Sequence, residues 1–143
     1  MTDVVMQTAT AEHLSQVERW ASRNAAIATL LKLPATSPDA LSDVHTWVAL
    51  DGEEVIAIVT VWLNKEHVGY INCIVKPALK RQGIGTQIME YALRQPFVAD
   101  LVHLHATIDP ANTPALVVLD SLGFTRTGYD KNGYVELARH KRQ

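Results

Sequence analysis

Two glycines separated by one residue mark the segment with the clearest chemical meaning. Gly83 and Gly85 follow a run rich in Val and Ile and precede residues with helical spacing, which predicts a strand, a tight turn and a helix. The first turn of a helix carries unpaired amides and partial positive charge, and glycine lets an anion approach them closely. Lys80 and Arg81 add cationic side chains. We therefore expect this segment to bind a phosphate or diphosphate.

Two common phosphate motifs do not fit these residues. The P-loop needs a Gly-Lys pair, which this sequence lacks, and the dinucleotide fingerprint needs a third glycine where Ile88 stands. On this segment alone, two alternatives stay open: the glycines only shape a turn beside a core helix, or the protein is a generic phosphate-binding module.

A histidine pair is the second candidate for chemistry. His103, His105 and Thr107 share one face of a predicted strand, because side chains alternate along a strand. A neutral imidazole near pH 7 suits proton transfer. Buried or solvated structural histidines are an alternative, and so is a metal site, although no third ligand is evident.

The surrounding elements alternate in a way that predicts a mixed sheet with helices on its faces. Thr10 is expected to cap the first helix, and Gly123 to end the last. Pro34 to Asp39 is expected to form a loop. Strands are predicted over 3–8, 46–50, 55–63, 68–75, 101–108, 124–129 and 133–138; helices are predicted over 11–21, 24–33 and 113–122, with another that carries Ile84 and Ile88 and ends at Pro96.

Composition excludes several classes of protein. The 143 residues are 48% hydrophobic and 20% charged, which indicates one globular domain over 1–143. Thirteen Lys and Arg against fifteen Asp and Glu give a net charge of −2, so a broad nucleic-acid-binding surface is not expected.

The single cysteine and the amino-terminal residues predict a cellular setting. Cys73 alone cannot form an intramolecular disulfide or a multi-cysteine zinc site, and it fits a reducing compartment. The first residues lack the basic and apolar regions of a signal peptide, and no apolar run approaches the roughly 18 residues of a membrane span. We expect a soluble, cytoplasmic protein with no membrane partner.

Two blocks together resemble a known family. Lys80-x-x-Gly83-x-Gly85 is similar to the acetyl-coenzyme A signature of the GCN5-related N-acetyltransferases (GNAT), and Asn112-x-x-Ala115 followed by Leu122-Gly123-Phe124 is similar to a second block of that family. The resemblance extends over nearly the whole chain. It implies an α/β (α+β) fold: a mixed, mostly antiparallel sheet of about seven strands, splayed between strands 4 and 5 and flanked by about four helices.

The resemblance also implies where acetyl-coenzyme A (acetyl-CoA) binds. Backbone groups of Cys73, Ile74 and Val75 would bond the pantetheine arm and the acetyl carbonyl, and Asn112 would bond the arm from the other side. Asn112 in a simple Asx turn is the alternative. The diphosphate would be held by Lys80 and by amides of the turn, namely Arg81, Gln82, Gly83, Ile84, Gly85 and Thr86.

Two positions depart from the family pattern. Many members have a tyrosine acid where this chain has Leu119, and a glutamate where it has Thr107. His105 is the nearest titratable group, so we expect it to act as the base, with Asn72 positioning a water. Cys73 as a nucleophile is an alternative, but no histidine adjoins it in the sequence.

The acceptor side is described less specifically by the sequence. Trp62 and Tyr70 lie near the ends of paired strands, where an acceptor pocket could form. The segment from Pro34 to Asp43, with carboxylates at Asp39 and Asp43, corresponds to the loop that often forms the acceptor lip in this family; a solvated loop is the alternative.

The resemblance implies direct acetyl transfer from acetyl-CoA to a primary amine of a small molecule or of a peptide or protein. The substitutions at Leu119 and Thr107 leave a non-catalytic acyl-CoA sensor as the alternative. No metal, nucleic-acid or membrane partner is expected. The sequence does not identify the acceptor, and it leaves open a homodimer formed through strand edges or the closing hairpin.

Overall fold

The computed structural model describes residues 4–23, 40–64, 68–76, 83–111 and 113–140. The predicted helix over 24–33 and the predicted loop from Pro34 to Asp39 lie outside these residues. Four of the expected cofactor-binding residues do so as well, namely Lys80, Arg81, Gln82 and Asn112.

Seven strands form one mixed sheet in the order β1-β2-β3-β4-β5-β7-β6. Every neighbouring pair is antiparallel except β4 and β5, which are parallel. The fold class expected from the sequence is confirmed. The strands are β1 (Val4–Thr8), β2 (Ala40–Asp51), β3 (Glu54–Asn64), β4 (Gly69–Val75), β5 (His103–Ile108), β6 (Thr125–Tyr129) and β7 (Val135–His140).

Four helices accompany the sheet in the described residues. They are α1 (Ala11–Ala21), α2 (Ile84–Arg94), α3 (Pro96–Ala99) and α4 (Thr113–Ser121). Thr10 caps α1 as predicted, since its hydroxyl accepts from the His13 amide while the His13 ring accepts from the Thr10 amide. Pro96 ends α2, and it also begins α3, where a missing backbone N–H costs nothing.

The sheet buries apolar residues on both faces. On one face α1 places Val17 against Val48, Ile58 and Ile74. The larger core lies on the other face and includes α2, α3 and α4, with Ile88 and other side chains that are fully or almost fully buried. Because both faces are covered, the central strands are apolar almost throughout.

The second strand is longer than predicted. It begins at Ala40 rather than at residue 46, because β3 runs to Asn64 and pairs with Ala40 there. The register shifts between the Ala40 pair and the Val44 pair, as it does at a β-bulge or a similar irregularity. Asp43 therefore belongs to a strand, and the prediction of a loop reaching from Pro34 to Asp43 was wrong for residues 40–43.

The closing hairpin is held by one carboxylate. The Asp130 side chain accepts from the amides of Asn132 and Tyr134 at 2.8 and 2.9 Å, as Asx turns do. This turn fixes the register of β6 on β7. In the described part of the chain, every helix is too short or too polar to cross a membrane.

Candidate active site at the parted strands

Strands β4 and β5 touch at one end and separate at the other. Their register pairs are Gly69 with Leu104 and Tyr70 with His105, and the ladder does not continue past them. Gly69 permits the close end, because a Cβ there would lie 2.7 Å from the Leu101 Cδ1 atom. The splay expected between these strands is therefore present, and it begins after Tyr70.

The separated part of β4 is the stretch expected to bind pantetheine. β4 pairs with β3 along its whole length, but past Tyr70 its other edge has no ladder partner in β5. Cys73 and Val75 turn their side chains toward the larger core, whereas Ile74 is buried under α1. Their side chains are thus used in packing, and only backbone groups remain for a ligand along this edge.

The start of α2 follows the end of β4. Gly83 stands at the N-cap with φ 78°, a left-handed conformation that favours glycine, and the described residues provide no side-chain cap. The first α-helical bond is from the Gln87 amide to the Gly83 carbonyl. The preceding amides of Ile84, Gly85 and Thr86 have no carbonyl partner one turn back within the helix and are directed to its start.

Gly85 lets α2 lie close to β4. A Cβ at this position would lie 3.3 Å from the Val75 Cγ2 atom, tighter than ordinary contact. Glycine is therefore needed at the two positions for different reasons. Gly83 allows the left-handed backbone conformation, and Gly85 allows the close packing of α2 on β4. Parted backbone edges next to the first amides of a helix fit an extended molecule that carries amides at one end and a diphosphate at the other.

Cys73 does not have the chemistry of a nucleophile. The side chain packs against the larger core, and burial raises the pKa of its thiol from 9.0 to about 12. A thiol with this pKa is protonated near neutral pH. The interpretation of Cys73 as a packing residue is favoured over the alternative of a covalent role.

Leu119 stands where the family resemblance implies a tyrosine acid. Its side chain is 1% exposed and belongs to the larger core with Leu116, Phe124 and Leu137. It contributes hydrophobic packing and cannot supply a proton.

Three rings adjoin one another on the sheet face opposite the larger core. Trp62 and Tyr70 stack with centroids 5.8 Å apart, and Tyr70 lies 5.6 Å from His105. Register explains the row, because Trp62 pairs with Tyr70 across β3 and β4, and Tyr70 pairs with His105 across β4 and β5. The predicted location of Trp62 and Tyr70 near strand ends is confirmed, and the register places them beside His105.

Asn72 lies on the same face as Tyr70, two residues further along β4. It is 7% exposed and is paired in register with Thr60 of β3. The strands separate here, so its amide lies between the aromatic row and the parted edges.

His105 is held in a protonation state suited to accepting a proton. Burial lowers its pKa from 6.5, and the positive charge that His140 and His103 can carry lowers it further; Glu136 acts in the opposite direction. Below neutral pH the ring therefore stays uncharged to a lower pH than an ordinary histidine.

His103 and His140, two of the residues that surround His105, also contact each other. The Nδ1 atoms of His103 and His140 lie 2.6 Å apart at the exposed end of β5 and β7. One of the two atoms donates and the other accepts, and the tautomers of the two rings decide which. His103 and His105 share a face as predicted.

His140 and Glu136 are the site residues that sequence reasoning missed. Both come from β7, where His140 pairs with His103 and Glu136 pairs with Thr107. The carboxylate expected on β5 in relatives is absent at Thr107, and β7 places one directly opposite. A signal was present in the alternation of Glu136, Ala138 and His140, but using it requires the β5–β7 register.

The described residues include no group of three or more His, Cys, Asp or Glu side chains that could hold a metal ion. A cleft of about 260 Å³ opens two strands away from the parted edges, at the end of β1, and is separate from them. It is lined by Thr8, Ala9, Leu14, Val44, His45, Thr46 and Trp47.

Comparison with known families agrees with this geometry. The sequence matches the model described as the acetyltransferase (GNAT) family over residues 11–124. No curated protein matches the sequence.

Several solved structures are similar in fold. The ribosomal-protein-S18-alanine N-acetyltransferase from Escherichia coli is 15% identical, with a TM-score of 0.72 over 99% of this chain and 96% of that one. AAC(6')-Ib in complex with ribostamycin and coenzyme A is 16% identical, with a TM-score of 0.70 over 97% and 94%. A spermidine N-acetyltransferase chimera from Vibrio cholerae and hSSAT is 15% identical, with a TM-score of 0.70 over 97% and 96%.

Proposed function

Because the chain belongs to the acetyltransferase (GNAT) family, we propose that it transfers an acetyl group from acetyl-CoA directly to a primary amine. The observation that carries this proposal is the parting of β4 from β5 after Tyr70, next to the open amides of α2. Solved structures of similar fold are, by their printed names, a ribosomal-protein-S18-alanine N-acetyltransferase, AAC(6')-Ib in complex with ribostamycin and coenzyme A, and a spermidine N-acetyltransferase chimera. The acceptor class proposed for this chain is a primary amine of a small molecule or of a peptide or protein.

Backbone groups of this chain would bind the cofactor. The free edge of β4 at Cys73, Ile74 and Val75 faces the gap, where it would bond the pantetheine arm and the acetyl carbonyl, with Asn112 on the opposite side. The amides that begin α2, at Gly83 to Thr86, would hold the diphosphate together with Lys80, Arg81 and Gln82. When bound, acetyl-CoA supplies a thioester carbonyl that is reactive toward an amine.

Side chains on the acceptor face would manage the proton. His105 takes a proton from the amine nitrogen as the C–N bond forms and the C–S bond breaks, and the thiolate takes up one proton from His105 or water. A thiol leaves readily near neutral pH, so the reaction does not require a tyrosine at Leu119. The Asn72 amide, next to the point of separation, would position a water between the amine and His105.

The experiment is a direct assay of thiol release. Purified protein is mixed with acetyl-CoA and a panel of polyamines, aminoglycosides and peptides with free termini, and coenzyme A binding is measured separately by calorimetry. Release of thiol with an amine, together with acetylated product by mass spectrometry, is the expected result.

The alternative, an acyl-CoA sensor, is motivated by the buried Leu119 and by the absence of a carboxylate at Thr107. Tight coenzyme A binding without turnover on any amine would support the sensor. No binding of coenzyme A at all would contradict both functions.

A further inference from the structure

Glu136 lies where a carboxylate can act on His105. It is directly opposite Thr107 on the β5–β7 ladder, and His105 is opposite Ala138, so Glu136 is the diagonal neighbour of His105 on one face. Diagonal neighbours on a sheet are about 7–8 Å apart, within reach of a long side chain. Ala138 presents only a methyl group between them.

The surroundings leave this carboxylate free to interact with His105. On β6 the register partner of Glu136 is Gly128, which has no side chain to cover it. Glu136 is half-buried and forms no ion pair with any other residue in the described ranges. Arg139, three residues after Glu136 on β7, lies on the opposite face of the sheet, with its guanidinium carbon 5.8 Å from the Phe124 ring centroid.

The charged and titratable groups that face His105 are few in the described structure. They are His103 on its own strand, Tyr70 on β4, and His140 and Glu136 on β7. The two histidines penalise a positive charge on His105, and Glu136 is the one described carboxylate that offsets it. His105 must become positive when it accepts a proton from the amine.

We propose that Glu136 is the counter-ion of the His105 imidazolium that forms when the acceptor amine loses its proton, so that β7 supplies the carboxylate that β5 lacks. Glu136 does not touch the reacting atoms; it is a positioning residue that acts through His105. The inference rests on the proposed function, because it assigns a role within the same proton transfer.

The test compares two changes that each remove a titratable group, with opposite expected effects on the acid limb of the pH profile of kcat/KM. Glu136→Gln removes the favourable charge, so the His105 pKa falls and the limb moves to lower pH by about half a unit to one unit, while the plateau drops about tenfold. His140→Gln removes an unfavourable charge, so the limb moves to higher pH. Histidine-ring NMR of the free enzyme is expected to show the same two shifts for His105.

Controls separate this role from a structural one. Glu53→Gln removes a carboxylate from the distant β2–β3 turn and is expected to leave the profile unchanged, and Glu136→Asp is expected to recover part of the plateau. A Glu136→Gln enzyme with the wild-type limb and plateau would overturn the proposal. An increase in KM for the amine without a shift of the limb would also overturn it, because Glu136 would then bind the acceptor instead.

Failure of the proposed function would look different. It would appear as absence of thiol release by the wild-type protein with every amine tested. If the wild-type protein acetylates an amine and the Glu136→Gln variant shows no shift of the acid limb, only the role assigned to Glu136 is contradicted.

Discussion

The two sides of the parted strands differ in whether backbone groups or side chains form them. The proposed cofactor side consists of backbone: the edge of β4 beyond its ladder with β5 and the first amides of α2, with Gly83 and Gly85 allowing the conformation and the packing. The proposed acceptor side consists of side chains from four strands, with Trp62, Tyr70 and His105 in a row and Glu136 beside them.

This difference has a chemical reason. Backbone amides present the same donors and acceptors whatever the local side chains, so they suit a cofactor that is constant across a family. Side chains change with single substitutions, so they suit an acceptor and a proton transfer that vary. Mutations on the two sides should therefore separate binding of coenzyme A from turnover.

The largest expected effect comes from a charge placed at the start of α2. Gly83→Glu is expected to weaken coenzyme A binding about 1,000-fold, since a carboxylate about 4 Å from a phosphate costs roughly 4 kcal/mol near a protein surface. Gly133→Glu is the matched control, because both glycines have left-handed φ values, 78° and 83°, and open space where a Cβ would stand. Calorimetry measures the affinity, and equal binding by the two variants would contradict the assignment.

A second test asks whether Cys73 contributes only its backbone. With a pKa of about 12 instead of 9.0, the thiolate fraction near pH 8 is lower by about 1,000-fold. Alkylation by iodoacetamide is expected to be slower than in urea-unfolded protein by about this factor. Equal labelling rates in native and unfolded protein would mean that the Cys73 thiol is reactive at the gap. The cofactor side would then contribute a side chain as well as backbone groups.

His105→Gln tests the proposed acceptor side. Loss of a general base is expected to lower kcat about 100-fold while the affinity for coenzyme A stays within about twofold. His13→Gln is a suitable control, because glutamine at that position of the capping box keeps the first turn of α1 satisfied. Steady-state kinetics and calorimetry measure the two quantities, and a fully active variant would transfer the role to water.

The smallest expected effect concerns the core beneath the cofactor side. Leu119→Tyr adds volume to a fully buried position, so we expect a loss of about 1–3 kcal/mol in the free energy of unfolding. Leu119→Met nearly conserves volume and should cost less than about 1.5 kcal/mol. Urea unfolding measures both, and a Leu119→Tyr protein as stable as the wild type would mean that the side chain reaches the gap.

The turn between β4 and α2, which lies on the proposed cofactor side, was predictable because its determinants are local. Gly83 and Gly85 stand two residues apart, and the change from strand to helical spacing around them is visible in a short window of sequence. The parallel contact and its splay followed from the family resemblance, and the structure adds the reason that Gly69 permits the close end.

The acceptor side was only partly predictable because it depends on register between distant strands. His103 and His140 are 37 residues apart, and their contact requires the exact pairing of β5 with β7. That pairing depends on α4 and on the hairpin at Asp130, neither of which fixes register from sequence alone. The alternation of β5 predicted the shared face of His103 and His105, whereas the alternation of Glu136, Ala138 and His140 points to the site only once the β5–β7 register is known.

The short contact between β4 and β5 also bears on how the protein unfolds. The ladder between β4 and β5 is limited to Gly69 and Tyr70, so backbone hydrogen bonds act mainly within two sub-sheets, β1 to β4 and β5 to β7. The two sub-sheets are joined mainly by side-chain packing in the larger core. We expect such halves to open as separate units with their own hydrogen-exchange rates. A molecule lying along the parted edges would bridge the two units, so we expect its binding to couple their opening into one cooperative step.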